Sequence, residues 1–535
     1  MTPARRRPAG SSSRTRFPSL RRAATAVAAM VSASLLLSGC VFSVPVPNDG
    51  AGNGSGGGNV SGPDASIAAA APAGLESFYS QKVNWTSCEQ GFQCANIKVP
   101  VDYAKPDGDS ISIAAIRLQS QGTKKGSLLV NPGGPGASGY DFVRDAAKTH
   151  FTSKLRSSFD LVGFDPRGVK RSAPVTCLSD AERDASREKV YNYDTDQGIA
   201  AALADTKAIN AKCVEKSGPA LPHIDTASSA KDMDILRAVL NDAKLNYLGF
   251  SYGTSLGATY ASLFPNNVGK LALDGAVDPS LNNEDLTAGQ AEAFEKELRT
   301  YVADCQAKSG CPMTGGVDNG VQQIQDLIAD VEQNPKRAKD GRLVTGATFV
   351  SGIFTPLYDN ESWPVLTQAL VAAFKGDVSL MLRIADFGAD RDPNGTYTSN
   401  TTFAFNAINC LDYPMVTDTA GMRSEEARLK QLSPTFGYYF AYGGINCKDW
   451  PYKPVHTPAP VKYTGTAPIV VIGTTGDPAT PVAWAGSLRK QLGNASLVTW
   501  KGEGHTAYGR SNQCVSDAVD NYFVDGKVPS DGTMC

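Results

Sequence analysis

Five apolar runs in this chain each stop at a turn of small residues: "GSLLVNPGGPG" (126–136), "FDLVGFDPRG" (159–168), "KLNYLGF" (244–250), "GKLALDGAVDP" (269–279) and "APIVVIGTTGDPATP" (467–481). Short, continuous apolar runs bounded by turn signals read as strands buried on both faces. Amphipathic stretches lie between them. "SAKDMDILRAVLN" (229–241) sets Met233, Leu236, Val239 and Leu240 on one helical face, and "GTSLGATYASLF" (253–264) reads as a helix stopped by Pro265. "SISIAAIRL" (110–118) alternates like an edge or antiparallel strand, and "ASLVTWKGEGHTAYG" (495–509) returns to the sheet pattern. The alternation predicts an α/β fold with a mostly parallel central sheet covered on both faces. It breaks after residue 280, where helical stretches such as "AGQAEAFEKELRTYVADC" take over. A helical segment inserted late in such a sheet reads as a cap over the strand ends, where open α/β sheets bind their ligands. The expected division is a first core part at 84–280, a helical cap at 281–405 and a C-terminal core part at 406–535.

The first 83 residues have a different character. Seven arginines and no acidic residue precede an apolar run from Ala23 to Leu37. The run is short for a membrane span and fits the core of an export signal at 1–39. It ends in "LLLSGC", which resembles a bacterial lipobox and implies cleavage before Cys40 and lipidation of that cysteine. The pair Arg21-Arg22 leaves the choice between the Sec and twin-arginine routes open. Residues 40–83, rich in Gly, Ser, Pro and Ala, read as a flexible tether without a core of its own. The expected location is the outer face of a bacterial cell membrane, reached through a lipid anchor.

Cysteine usage agrees with export. Eleven cysteines less Cys40 leave an even number, which in an exported chain reads as five disulfides. Connectivity does not follow from sequence. Sequential pairing, 88–94, 177–213, 305–311, 410–447 and 514–535, closes only short loops and is the expectation. There is no C-x-x-C or H-E-x-x-H, and the four histidines are widely spread, so no metal is expected. A net charge of -2 gives no nucleic-acid footprint.

The chemistry concentrates around "YLGFSYGTSLG" (247–257). Gly249, Ser251 and Gly253 fit G-x-S-x-G between a strand and a helix, the setting in which a tight turn presents a nucleophilic serine. A serine hydroxyl needs a base. Asp477 follows "IVVIGTTG" and His505 follows "SLVTWKGEG", each on a loop after a later strand. The order Ser251, Asp477, His505 is that of the α/β-hydrolases. Glu503, close to His505 in sequence, reads as loop structure. An acyl-transfer site also needs backbone N–H donors for the oxyanion. Tyr252, the residue after the nucleophile, supplies one. The loop "NPGGPGASG" (131–139) supplies the other, from Gly134 or its neighbour Gly133. That loop lacks the G-K-[ST] ending of a phosphate loop, and no cofactor is expected.

In combination, "VPVDYAKP", "NPGGPGASG", "FDPRG", "GFSYGT", "LDGAVDP", "GDPATP" and "GEGHT" resemble the secreted actinobacterial tripeptidyl aminopeptidases, over residues 84–535. The resemblance implies an α/β-hydrolase serine exopeptidase, related to prolyl aminopeptidases, that releases short peptides, often tripeptides, from free N-termini under a helical cap. The lipobox and tether resemble the cell-envelope lipoprotein members, some of which also act as esterases. Prolyl aminopeptidases usually begin the oxyanion loop with His, whereas Asn131 stands here. An exopeptidase needs a carboxylate for the substrate's ammonium, and Asp412 in "AINCLDYP" (407–414) is the candidate. Asp165 and Arg167 read as a structural turn and ion pair, and Tyr358 and Trp363 as core or pocket aromatics. Two other readings share these features: a carboxylesterase or lipase-like hydrolase with the same triad, and a binding lipoprotein on a hydrolase scaffold.

Overall fold

The strand Ser127–Asn131 is buried at all five positions, and its side chains divide between two cores. Leu129 packs with Met233, Leu236 and Leu256 on one face of the sheet, while Leu128 and Val130 pack with Val143, Leu155 and Phe523 on the other. Ile469 and Val471 repeat the pattern against Val470 and Ile472. This is the two-residue period of a strand covered on both sides.

The computed structural model describes residues 59–535 except residue 90. The expected export signal (1–39) and Cys40 lie outside the described residues. The strands are β1 (Asn59–Ser61), β2 (Val83–Ser87), β3 (Gln93–Pro100), β4 (Ser110–Leu118), β5 (Ser127–Asn131), β6 (Asp160–Phe164), β7 (Leu245–Phe250), β8 (Val268–Asp274), β9 (Lys336–Arg337), β10 (Leu343–Val344), β11 (Ile469–Gly476), β12 (Ala495–Glu503) and β13 (Thr533–Met534). Eleven of them form one sheet in the order β1-β2-β3-β4-β6-β5-β7-β8-β11-β12-β13. β1 to β4 are antiparallel neighbours and β4 joins β6 antiparallel. From β6 onward every pairing is parallel. The result is the mostly parallel sheet of an α/β-hydrolase fold.

Helices Thr226–Val239, Tyr252–Leu263 and Val482–Leu492 cover one face. Gly139–Ala146, Ser153–Ser158 and Gln513–Asp520 cover the other. Their starts are capped locally: Ser138 accepts from Asp141 N and Asp225 from Ser228 N. Asn283–Gln306 opens the helical cap, which has a core of its own around Leu298, Ile324, Phe349, Leu366 and Met381. Helices continue through Thr401–Asp412 and Thr419–Leu432 to Ile445–Lys448, and the sheet resumes only at Ile469. The insertion thus runs past the expected end at residue 405. Two further helices, Asp180–Arg187 and Asp196–Ser217, lie between β6 and β7 and bind the cap through Arg187–Asp386 (2.7 Å) and Asn210 Nδ2 to Asn446 O (3.1 Å).

The tether reading of 40–83 needs correction for its described part. β1 pairs with β2, Tyr79 is buried with its hydroxyl donating to Asp234 Oδ2 at 2.7 Å, and Ile67, Ala71 and Phe78 pack on the main core. Enough apolar side chains follow the glycine-rich stretch to order its end. The disulfides join Cys88 to Cys94, Cys177 to Cys213, Cys305 to Cys311, Cys410 to Cys447 and Cys514 to Cys535. Among the described residues no helix is long and apolar enough to cross a membrane.

One buried ion pair ties the antiparallel edge to the helices. Arg167 has no exposed surface. Its Nε and Nη2 donate to Asp232 at 2.7 and 2.6 Å, and its remaining N–H groups reach Val101 O, His223 O and Pro100 O. Tyr103 Oη completes Asp232 at 2.7 Å. Arg167 is thus paired with Asp232, while Asp165 pairs with Arg171 at 2.9 Å. Arg167→Met leaves a buried carboxylate and three carbonyls without their donor. It is expected to lower the unfolding free energy by about 3–5 kcal/mol; a denaturant melt showing no loss would remove this pair from the constraints on the fold.

Candidate active site

Ser251 has φ 56° and ψ −126°, a left-handed conformation that a non-glycine residue adopts only when its surroundings impose it. It sits between β7, which ends at Phe250, and the helix beginning at Tyr252. The small neighbours are steric necessities. A Cβ at Gly249 would overlap Gly253 O, and one at Gly253 would come 2.8 Å from Asn131 O. Ser251 N donates to Asp274 O at 2.8 Å, and Thr254 Oγ1 donates to Ser251 O at 2.6 Å. The strained turn is therefore held from the adjoining strand and from its own helix.

Asp477 follows β11 and His505 follows β12. His505 Nδ1 lies 2.9 and 3.0 Å from the two Asp477 oxygens. Asp477 has no exposed side-chain surface, yet each oxygen has partners: Oδ1 accepts from Ala479 N and Thr480 N, and Oδ2 from Thr480 Oγ1 and Thr506 N. A carboxylate so satisfied orients the imidazole with Nδ1–H toward it, which leaves Nε2 as the free basic nitrogen. His505 N donates to Tyr358 O at 2.8 Å, and the Tyr358 ring meets the imidazole edge-to-face at 5.5 Å. A Cβ on Gly275 would stand 3.2 Å from His505 Cε1. The imidazole thus lies against the residue that follows Asp274, whose carbonyl holds Ser251.

The glycine loop after β5 closes the arrangement. A Cβ on Gly133 would fall 2.8 Å from Ser251 Cβ and 3.0 Å from Tyr252 N, so this loop presses on the nucleophile turn. Gly133 N–H is already donated to Asn131 Oδ1 at 2.9 Å. Gly134 follows it and is the next backbone N–H along the loop.

Several residues depart from the sequence reading. Asp412 ends the helix Thr401–Asp412 and is buried. Its Oδ1 accepts from Thr226 N at 3.0 Å and its Oδ2 from Thr226 Oγ1 at 2.5 Å; that hydroxyl also bonds Tyr252 Oη. Burial pushes its carboxyl up to about 7, against the pull of the Thr226 hydrogen bonds. Asp412 therefore buttresses the side chain of Tyr252 and does not reach the large cavity of the cap, which corrects its assignment to the substrate amine. Trp363 is a core residue packed edge-on to Tyr301, whereas Tyr358 faces His505. Glu503 is more than loop structure: it lies close enough to Glu297 of the cap for its charge to add to burial in pushing that carboxyl up to about 9.

Asp274 lies in "LDGAVDP" at the end of a strand, and nothing in that motif assigned it a role. Its carboxylate is buried and accepts from Ala507 N at 3.0 Å and Tyr508 N at 2.7 Å, on the loop that carries His505. Its own carbonyl accepts from Ser251 N. One residue thus holds both the nucleophile turn and the histidine loop.

Residues 433–535 match the family model described as TAP-like protein. The chain is 37% identical over 476 residues to the serine protease Hip1 of Mycobacterium tuberculosis, an alignment covering 85% of this chain and 91% of that protein. It is 36% identical over 467 residues to carboxylesterase B of the same organism, covering 84% and 89%. It is 31% identical over 472 residues to the tripeptidyl aminopeptidase of Streptomyces lividans, covering 85% and 86%.

Burial pushes the Asp274 carboxyl from 3.8 up to about 6, against the N–H groups that pull it down. A raised carboxyl favours the protonated native state, so its contribution to stability is complete below pH 3.8 and fades as the pH rises through about 6. Asp274→Asn has no such dependence. Its stability relative to the parent should rise by about 3 kcal/mol between pH 3.5 and pH 7; a constant difference in paired denaturant melts would contradict this. The same variant offers one acceptor oxygen where two were used, and kcat should fall about 10–100-fold through displacement of His505.

Proposed function

This chain belongs to the tripeptidyl-aminopeptidase-like family of α/β-hydrolase serine peptidases, and we propose that it releases short peptides, tripeptides foremost, from the free N-termini of peptides and proteins. The observation that carries the reading is the strained Ser251 turn, held by Asp274 O beside a His505–Asp477 pair at 2.9 Å. In this reading Ser251 Oγ attacks the scissile carbonyl while His505 Nε2 takes its proton. The N–H groups of Tyr252 and Gly134 receive the oxyanion. His505 then protonates the departing amine, and water hydrolyses the acyl-enzyme by the same relay. Asp477 keeps Nδ1 protonated and balances the imidazolium. No metal or cofactor enters these steps.

The reading extends to location. The arginine-rich leader, the apolar run and "LLLSGC" support export and lipid attachment at Cys40, with the Gly/Ser-rich segment spacing the catalytic body from the membrane. A second reading, a carboxylesterase with the same triad, is favoured by the similarity to carboxylesterase B. Esters are cleaved more readily than amides, so ester turnover alone does not separate the two.

The test uses the protein on matched chromogenic tripeptide amides with free or acetylated N-termini, beside single-residue amides and a short-chain ester. Preferential cleavage of the free-amine tripeptide supports the proposal; ester cleavage without amide cleavage, or indifference to acetylation, overturns it. Ser251→Ala is expected to lower kcat by about six orders of magnitude on every substrate cleaved. A variant retaining most of its activity would remove Ser251 from the mechanism.

A further inference from the structure

The cap holds a cavity of about 660 Å³, within the size range of small-ligand and short-peptide sites. Aromatic rings dominate its wall. Five charged side chains reach it: Arg183, Arg187, Lys189, Asp205 and Glu332. Four of them are accounted for by neighbours. Lys189 pairs with Asp205, which also accepts from Tyr191 Oη. Arg187 pairs with Asp386 at 2.7 Å. Arg183 donates to Ser399 O at 2.8 Å and lies 3.6 Å over the Tyr397 ring.

Glu332 differs. It makes no ion pair among the described residues and accepts one side-chain hydrogen bond, from Tyr439 Oη to Oε2 at 3.1 Å. Tyr193 and Tyr438 stand close enough for its charge to add to burial in pushing their phenols up. A carboxylate among tyrosine rings, without a cation of its own, has the recognition chemistry of an ammonium group: opposite charge, acceptor oxygens and ring faces. Its position is set by a glycine. A Cβ on Gly346, the first residue of the helix Gly346–Leu357, would occupy the place of Glu332 Oε2.

We propose that Glu332 binds the α-ammonium of the peptide substrate and so confers the requirement for a free N-terminus. This rests on the exopeptidase reading above. The cavity lining contains none of Ser251, Asp477 and His505, but it adjoins them at several points. Gln290, in its wall, donates to Ala479 O, two residues beyond Asp477. Phe405, also in its wall, packs its backbone against Gly136 of the oxyanion loop. From His505, ring contacts run to Tyr358 (5.5 Å), to Phe294 (5.3 Å) and to Phe440 (5.9 Å), the chain neighbour of Tyr439. An extended peptide advances about 3.3–3.6 Å per residue, so three residues span about 10 Å from the acylated serine into the cavity. A substrate of that length carries its ammonium away from the triad and toward the cap, where Asp412 has no free oxygen and Glu332 does.

The test compares the parent, Glu332→Gln and Gly346→Ala on the tripeptide amide with a free or acetylated N-terminus and on the short-chain ester. Glu332→Gln keeps the shape and removes the charge. Gly346→Ala keeps the charge, favours the helix and displaces the carboxylate. Both should lower kcat/KM on the free-amine tripeptide about 10–100-fold, mainly through KM, and leave the acetylated peptide and the ester unchanged. If the parent prefers the free amine and Glu332→Gln preserves that preference, Glu332 is not the amine site, while the exopeptidase reading stands. Equal losses on all three substrates assign Glu332 to structure and overturn the proposal. If the parent itself ignores acetylation, the exopeptidase reading falls and takes this one with it.

Discussion

Asp274 is the residue on which the catalytic arrangement depends. It ends β8, and from that one position its carbonyl holds Ser251 N while its carboxylate holds Ala507 N and Tyr508 N. The reason one residue can reach both lies in the sheet. Gly134, Ser251, Asp477 and His505 follow β5, β7, β11 and β12, and Asp274 ends β8; these five strands are consecutive neighbours in the strand order. Parallel pairing brings all five carboxyl ends to one edge of the sheet at the spacing between strands, about 4.8 Å. Sequence distances of more than two hundred residues thus reduce to the spacing of adjacent strands. The strain at Ser251 persists because that edge is rigid: the strands behind it are buried on both faces.

The cap is coupled to the same edge and is not a separate lid resting on it. The helix Asn283–Gln306 contributes to both. Its Leu298 and Val302 belong to the cap's core. Its Gln290 amide binds Ala479 O, and its Glu297 meets Glu503, two residues before His505. Tyr358, from another cap helix end, supplies the carbonyl that accepts His505 N. The histidine loop is therefore pinned from below by Asp274 and from above by Tyr358. Displacement of the cap would carry the base with it.

Much of this was legible in the chain because burial on both faces leaves a plain signature. The runs at 126–136, 244–250, 269–279 and 467–481 contain the strands the structure shows, and the glycines around Ser251 have the steric role that the turn demands. Ser251, Asp477 and His505 could be read together because strand-then-loop context is a local property, and the structure pairs His505 with Asp477. What was missed depends on direction. Asp412 was read as facing a cleft, yet it falls four residues after Ile408 and eight after Ala404, on the face of a helix that packs against Val169 and Ile224. That spacing was present in the sequence and argued for burial. Glu332 lies near the end of an amphipathic helix, Val317–Gln333, where nothing local separates a cavity wall from solvent. The role of Asp274 was hidden for a related reason: a strand-terminal aspartate shows its partners only once the sheet is assembled. The end of the tether was missed because glycine-rich composition outweighed Leu75, Phe78 and Tyr79 in the reading, although those three reach the core.

Two buried carboxyls, Asp477 and Asp274, flank the base, and hydrogen bonds satisfy both. Asp477 is buried within four hydrogen bonds from main chain and threonine, besides the imidazole itself. Glu297, close enough to feel Asp477, is pushed up to about 9 by burial and the Glu503 charge and stays protonated at neutral pH. An acid held neutral in this way adds no charge beside Asp477. The cap therefore sets a neutral carboxyl, Glu297, beside the catalytic edge. Glu332, in the wall of the cavity and without a cation of its own among the described residues, is placed to act on the substrate's charge. The cap thereby keeps the two tasks on different carboxyls: neutrality beside the base and negative charge where the substrate's amine is proposed to lie.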